Sequence, residues 1–176
     1  MFDRLKREVA FIRANDPAAG SLPEILMLYP GYRAVRRHRL SHWLFKHNHR
    51  FLARYLSERT KKLTGVEIHP GAQIGDCLFI DHGMGVVIGE TTIIGNNCII
   101  YQGVTLGGTG KEKGKRHPTL GNNIMVGAGS KIIGSVTIGD GAKIAAGAVV
   151  VRDVPAGATA IGIPATIRMP AGTPAQ

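Results

Sequence analysis

From residue 68 onward an aliphatic side chain recurs every six residues, and nothing else in the chain constrains its fold as strongly. Ile68, Ile74 and Ile80 make one phased run, and Ile88, Ile94, Ile100 and Leu106 a second. Leu120, Val126, Ile132, Ile138, Ile144 and Val150 make a third. The runs are separated by one step of eight and one of fourteen residues, so thirteen positions share one period. An α-helix repeats near 3.6 residues and a half-buried strand near 2; neither yields six. A hexapeptide period is the mark of a parallel β-helix, in which each hexad supplies one short strand and one turn. Three hexads close a triangular coil of about 18 residues, and coils stack at the ~4.8 Å spacing of paired strands. The period predicts a solenoid of about four coils over residues 64–165, with the aliphatic of each hexad pointing at its axis.

Small residues often follow the aliphatic, as in Ile74-Gly75, Ile88-Gly89, Ile94-Gly95, Val126-Gly127 and Ile138-Gly139. The expected reason is that glycine supplies backbone conformations a corner demands. The step of fourteen reads as one hexad plus an eight-residue insertion within residues 107–118. A solenoid buries its core by stacking, so such an insertion leaves the surface as a loop, where function tends to sit.

Residues 1–63 read as helices. Phe2, Leu5, Val9 and Ile12 follow helical spacing, and Asn15-Asp16-Pro17 ends that run. Ser21-Leu22-Pro23-Glu24 has the order of a capped helix start, and Pro30-Gly31 breaks the chain again. Tyr32, Val35, Leu40, Trp43 and Leu44 form one further apolar stripe and Phe51, Leu52, Tyr55 and Leu56 another, both read as helix packing. The fold class is therefore α+β: a helical domain over 1–63, a β-helix over 64–165 and a tail over 166–176.

The formal net charge of +10 raises the possibility of a nucleic-acid partner. Its distribution argues against one. Residues 1–63 carry 14 Lys and Arg against 5 Asp and Glu, whereas residues 64–176 carry 8 against 7. Basic helices with a solvated face explain this, and a positive field also suits a polyanionic cosubstrate. No run of about 18 apolar residues predicts a membrane span, and the N-terminus lacks the apolar stretch of a signal peptide. Two cysteines, Cys77 and Cys98, make neither a disulfide framework nor a zinc site. The expected location is the cytoplasm.

Gly107 to Lys111 imitates a phosphate-binding loop but fails on spacing, with Thr105 where the first glycine belongs and Glu112 after the lysine. Of the histidines, His38, His42, His47 and His49 are expected on the surface of the basic helices. His82, beside Asp81, and His117, beside Arg116, each sit where the six-residue rhythm breaks. Some β-helix proteins hold zinc on two histidines five apart; residues 64–176 contain no such pair, and no metal is expected.

Asp81-His82-Gly83-Met84-Gly85-Val86-Val87-Ile88-Gly89-Glu90-Thr91 resembles the signature of the serine acetyltransferases. So does Gln102-Gly103-Val104-Thr105-Leu106-Gly107-Gly108-Thr109-Gly110-Lys111, followed by Arg116-His117-Pro118. Ile12-Arg13-Ala14-Asn15-Asp16-Pro17-Ala18 and His38-Arg39-Leu40-Ser41-His42-Trp43-Leu44 have counterparts there too, so the resemblance covers about residues 5–165. It implies a left-handed β-helix and the transfer of acetyl from acetyl-CoA to the L-serine hydroxyl, the first step of cysteine biosynthesis. By the same resemblance His82 is the catalytic base and Glu67 its orienting partner, where the best-known members carry Asp. His117 is the second active-site histidine. Arg116 would hold the serine carboxylate, Asp16 and Asp81 the ammonium. Gly108, Ala128, Lys143 and Ala146 match positions along the CoA arm. The resemblance also implies a homotrimer with sites between subunits, and cysteine as a feedback inhibitor. Long forms carry an extra N-terminal helical region and end in an Ile that enters cysteine synthase. This chain ends in Gln176, so no stable cysteine synthase complex is expected. Acetyl transfer to homoserine or a sugar, or a scaffold without catalysis, are the alternatives.

Overall fold

The structure is a computed structural model and describes residues 2–110 and 113–169; Gln176 and the rest of the expected tail beyond Met169 lie outside the described residues. Four helices come first: α1 (Phe2–Asn15), α2 (Leu22–Leu28), α3 (Pro30–Lys46) and α4 (Arg50–Thr64). Among the described residues no helix is long and apolar enough to cross a membrane. The Asn15-Asp16 boundary is where the sequence puts it, and the Ser21 hydroxyl caps α2 by accepting the Glu24 N–H. Pro30 stands at the first position of α3, where its missing N–H costs nothing. Gly65, left-handed at φ 71°, ends α4 and turns the chain into the solenoid.

The strands form three parallel faces of a left-handed β-helix. The first face stacks β1 (Glu67–Ile68), β4 (Val87–Ile88), β7 (Thr105–Gly107), β10 (Lys131–Ile133) and β13 (Val149–Val150). The second stacks β2 (Gln73–Ile74), β5 (Ile93–Ile94), β8 (Thr119–Leu120) and β11 (Thr137–Ile138). The third stacks β3 (Phe79–Ile80), β6 (Ile99–Ile100), β9 (Met125–Val126), β12 (Lys143–Ile144) and β14 (Thr159–Ile161). All thirteen phased aliphatics lie in these strands, in register. Ile68, Ile88, Leu106, Ile132 and Val150 form one column, and Ile80, Ile100, Val126 and Ile144 continue to Ala160 in another. Burying each such side chain contributes roughly 1.5–3 kcal/mol.

Five coils are present rather than about four, because the phased Val150 is followed by Val154 and Ala160, which complete a last turn that the period does not announce. The expected tail also begins as structure: β15 (Thr166–Arg168) pairs antiparallel with β14 and covers the end of the third face.

The glycines after the aliphatics serve another purpose than the expected one. Gly75, Gly89, Gly95, Gly127 and Gly139 have ordinary backbone angles; what they lack is room. At the corner between the second and third faces, a Cβ on Gly75 would lie 2.6 Å from Asn96 Oδ1 and one on Gly95 2.8 Å from Asn122 Oδ1. Those amides climb the corner as a ladder. Asn96 accepts the Asp76 N–H, Asn122 the Asn96 N–H, and Asp140 the Asn122 N–H, at 2.7–2.9 Å. The left-handed conformation falls two residues later, on Cys77, Asn97 and Asn123.

The helices dock onto the first coils. Phe79 and Ile99 of the third face are buried with Val9, Ile12, Ile25 and Tyr32. α3 approaches so closely that a Cβ on Gly31 would reach 2.7 Å from Ile80 Cβ. Two sequence expectations fail here. Tyr32 and Val35 are buried as the stripe predicts, but Leu40, Trp43, Phe51, Leu52 and Tyr55 are exposed, while Ala34, Ser41, Ala53, Ser57 and Thr60 are the residues buried on the rest of α3 and on α4. His38 is no surface residue. It is buried, with Nε2 3.1 Å from the Ala72 carbonyl, and its neighbour His42 reaches the Pro70 carbonyl at 2.8 Å.

Candidate active site

The predicted site residues separate onto two corners of the prism. His82 follows β3 at the corner between the third and first faces. It is left-handed at φ 56°, as are Gly83 at 81° and Gly85 at 74°. The two residues added to the rhythm thus form a tight turn that presents the imidazole outward, 76% exposed. Its Nε2 lies 4.0 Å from Asp81 Oδ1. Gly83 is required twice over, since a Cβ would also lie 2.7 Å from Val66 Cγ2.

Docking of α1 and α2 on the third face brings Asp16 to this corner. Its carboxylate accepts the Ala18 N–H at 2.8 Å and the Tyr29 hydroxyl at 2.6 Å. Burial first, then the bond to Asp16, then the charges of Asp16, Glu24 and Asp81, push the Tyr29 phenol up to about 12. Tyr29 is thus a fixed neutral donor that braces a carboxylate. The sequence gives no sign of this, because Asp16 and Tyr29 are joined only once α2 folds back.

Glu67 does not meet His82 here. Its carboxylate is 2.5 Å from Lys61 Nζ on α4, and among the described residues no hydrogen bond joins it to the imidazole. Ala128 and Ala146 lie higher on the same corner as His82, and Lys143 stands exposed on β12.

The other corner lies between the first and second faces, where the insertion leaves after β7 and returns at β8. His117 is buried there, its ring filling the space where a Gly89 side chain would begin. Thr91 organises the return of the loop. Its hydroxyl accepts the backbone N–H groups of Arg116 and His117, both at 3.1 Å, and lies 2.9 Å from His117 Nδ1. The Thr91 N–H also donates to Nδ1, at 3.2 Å. Burial, then the Arg116 charge, hold the His117 pKa below the usual histidine range.

Arg116 donates to Glu90 at 2.6 Å, which pins one edge of the guanidinium and lowers the Glu90 pKa. The Lys115 ammonium clamps the loop through the carbonyls of Thr91 at 2.7 Å and Pro118 at 3.1 Å. Gly108 is close-packed, since a Cβ would sit 3.0 Å from the Arg116 carbonyl. Sequence reasoning missed Gly89, Glu90 and Thr91 as functional, although they stand in the quoted motif. Their contacts cross from one coil to the next.

In one chain, then, His82 beside Asp81 occupies one corner, with Asp16 held by Tyr29 close by, and Arg116 beside the buried His117 occupies another. The first face lies between them. A cavity of about 700 Å³ between α1 and α3, lined by Arg4, Arg7, Arg36, Arg39 and Trp43 among others, holds none of these residues.

Comparison with known proteins agrees with this architecture. A family model described as bacterial transferase hexapeptide (six repeats) matches residues 117–152. A Helicobacter pylori serine acetyltransferase is 60% identical over 84% of this chain and 86% of its own length. A Neisseria gonorrhoeae serine acetyltransferase solved in complex with serine superposes with a TM-score of 0.89 at 41% identity, over 93% of this chain and 67% of that one. A Brucella abortus serine acetyltransferase in complex with coenzyme A gives a TM-score of 0.90 at 40% identity; the chain spans 66% of that protein's length. The repeat, the two histidine corners and these likenesses agree: the chain belongs to the serine acetyltransferase family.

Proposed function

We propose that this protein transfers acetyl from acetyl-CoA to the hydroxyl of L-serine, giving O-acetylserine and CoA, and that its active site forms between two subunits of a homotrimer. The observation that carries the reading is the division of charge between the corners. Serine is a zwitterion with a hydroxyl. Asp16 and Asp81 suit its ammonium, the Arg116 fork suits its carboxylate, and both sets flank a histidine. Relatives solved with serine and with CoA support the same pair of substrates. One chain cannot bring both corners to one small molecule, whereas a neighbour related by rotation sets the His82 corner of one copy against the His117 corner of the next.

In that cleft His82 takes the serine proton as the hydroxyl attacks the thioester carbonyl, since imidazole is the base best matched to neutral pH. Hydrogen-bond donors stabilise the oxyanion, the tetrahedral intermediate collapses, and the CoA thiolate leaves. Glu67 orients His82 only by giving up Lys61. Gly108, Ala128, Lys143 and Ala146 are assigned to the CoA arm, with the small residues admitting it and Lys143 meeting phosphate. Cysteine, which differs from serine by one atom, would compete for the same contacts; a relative solved in complex with cysteine supports this. The proposed location is the cytoplasm.

Mixed trimers test the reading. His82→Ala and His117→Ala chains are each expected to be inactive. Combined equally, they should regain about a quarter of wild-type thiol release with serine, because each mixed trimer keeps one site with both histidines. No recovery in verified mixed trimers would mean that each site lies within one chain.

A further inference from the structure

We propose that Thr91 is the positioning residue that fixes His117 as a neutral imidazole with its proton on Nε2, so that His117 acts on the substrate as a hydrogen-bond donor and not as a base. The inference deepens the reading above and rests on it for the substrate, but its geometry is independent of the reaction.

The tautomer follows from a count of donors and acceptors. A threonine hydroxyl has one proton and two lone pairs. The Arg116 and His117 N–H groups occupy the lone pairs. The proton is then left for the remaining partner, His117 Nδ1 at 2.9 Å. The Thr91 backbone N–H, which can only donate, points at the same nitrogen from 3.2 Å. Nδ1 is therefore an acceptor, and the ring proton is on Nε2. Protonating the ring would place an N–H on Nδ1 facing both donors. Arg116 next in sequence opposes a second positive charge as well.

His117 Nε2 is the atom closest to the place of a Gly89 side chain except for Cδ2, so only glycine at that position leaves room for that edge of the ring. His82 differs on every count: it is exposed, a carboxylate, Asp81, stands beside it, and among the described residues no donor occupies a ring nitrogen. The two histidines thus divide the work. One accepts the serine proton; the other offers Nε2–H to a substrate oxygen and cannot compete for the proton.

The test uses full-length enzyme labelled with ¹⁵N, with long-range proton–nitrogen correlation spectra assigned through His117→Gln. His117 should show a bare Nδ1 and a protonated Nε2, and should stay neutral through the pH range in which an ordinary histidine charges. An Nδ1–H tautomer, or titration at the ordinary histidine pKa, would overturn the proposal whether or not serine is the substrate. Thr91→Val keeps the shape and loses the hydroxyl. Turnover should fall about tenfold, the worth of one hydrogen bond. The acetyl-CoA KM should hold and the His117 pKa should move up. Thr91→Ser should restore all three. Failure of Thr91→Ser to rescue a folded Thr91→Val defect would show a merely structural role. His117→Gln retains an amide donor near Nε2 and should keep at least about tenfold more turnover than His117→Ala. If the two variants are equally inactive, the donor role fails. Absence of acetyl transfer to serine in the wild type, with the Nε2–H tautomer intact, would refute the substrate and leave the histidine assignment standing.

Discussion

Gly89→Ala adds one methyl group and should disable the enzyme without unfolding it. Gly89 has an ordinary backbone conformation, so alanine fits the chain as it stands. The new Cβ, however, would lie 2.7 Å from His117 Cγ and closer still to Cδ2 and Nε2. The ring must retreat by about 1 Å or more, and a 1 Å misplacement of a group at the chemistry costs on the order of 10²-fold. The retreat also pulls Nδ1 from Thr91. Overpacking costs about 1–3 kcal/mol, which in a chain of this size lowers Tm by at most about 12 °C. The assay is thiol release from acetyl-CoA with L-serine, beside a thermal melt. Gly141→Ala is the control. Gly141 is left-handed at φ 69° with nothing near its Cβ, on the corner that bears neither histidine. It should lose roughly 1–2 kcal/mol of stability and keep its turnover below the melt. Folded Gly89→Ala with turnover within about threefold of wild type, where ~10²-fold is expected, would refute the placement of His117 in the chemistry.

His82→Ala should lower kcat by ~10²–10⁴-fold with little change in acetyl-CoA affinity; near-normal turnover in a folded variant would remove His82 from the mechanism. Arg116→Lys keeps the charge, loses the fork and loosens the Glu90 contact, so serine KM should rise more than acetyl-CoA KM. A rise confined to acetyl-CoA would assign Arg116 to the cofactor. His38 gives a pH prediction. Burial first, then the His42 charge, lower its pKa to about 3 in the folded protein. The unfolded chain takes up this proton below about 6.5. Stability is therefore full above that pH and falls as pH drops toward 3, by at most about 5 kcal/mol. His38→Gln, which can still donate to Ala72, should flatten that limb in urea titrations at several pH values; an unchanged acid limb would show that His38 charges without cost.

What was legible in the sequence is what repeats. The thirteen aliphatics are placed because stacking forces each to face the axis, so period alone assigns strand, face and column. The breaks in period were legible for the same reason: Asp81-His82 and the 107–118 insertion stand out against a regular background. What stayed hidden depends on contacts between coils or between helix and coil. Thr91 and His117 are 26 residues apart and Asn96 and Asn122 likewise, and no local pattern pairs them. The same holds for His38 on Ala72 and Tyr29 on Asp16. The helical stripes misled for a related reason. Large apolar residues at helical spacing suggest a buried face, but α4 and part of α3 bury small or polar residues instead: Ala34, Ser41, Ala53, Ser57, Thr60 and Thr64, with His38 among them.

A β-helix of this kind supplies an unusual scaffold for catalysis. Its strands are two or three residues long, and its interior is filled by aliphatics. Enzymes need concave sites that exclude water and hold two substrates at once. In this chain the candidate functional groups stand on the edges of the prism, at the two corners where an insertion or a left-handed turn departs from the repeat. In the proposed trimer, joining copies around an axis would convert edges into clefts, with corners of neighbouring chains facing one another. The charge pattern fits that geometry. Asp16, Asp81 and His82 gather on one edge and Arg116 and His117 on the other, so under the proposed function each edge taken alone would suit only half of a zwitterion. On this argument catalysis should vanish on dilution below the trimer's dissociation range while each chain keeps its fold, and a monomer that retained turnover would sink it.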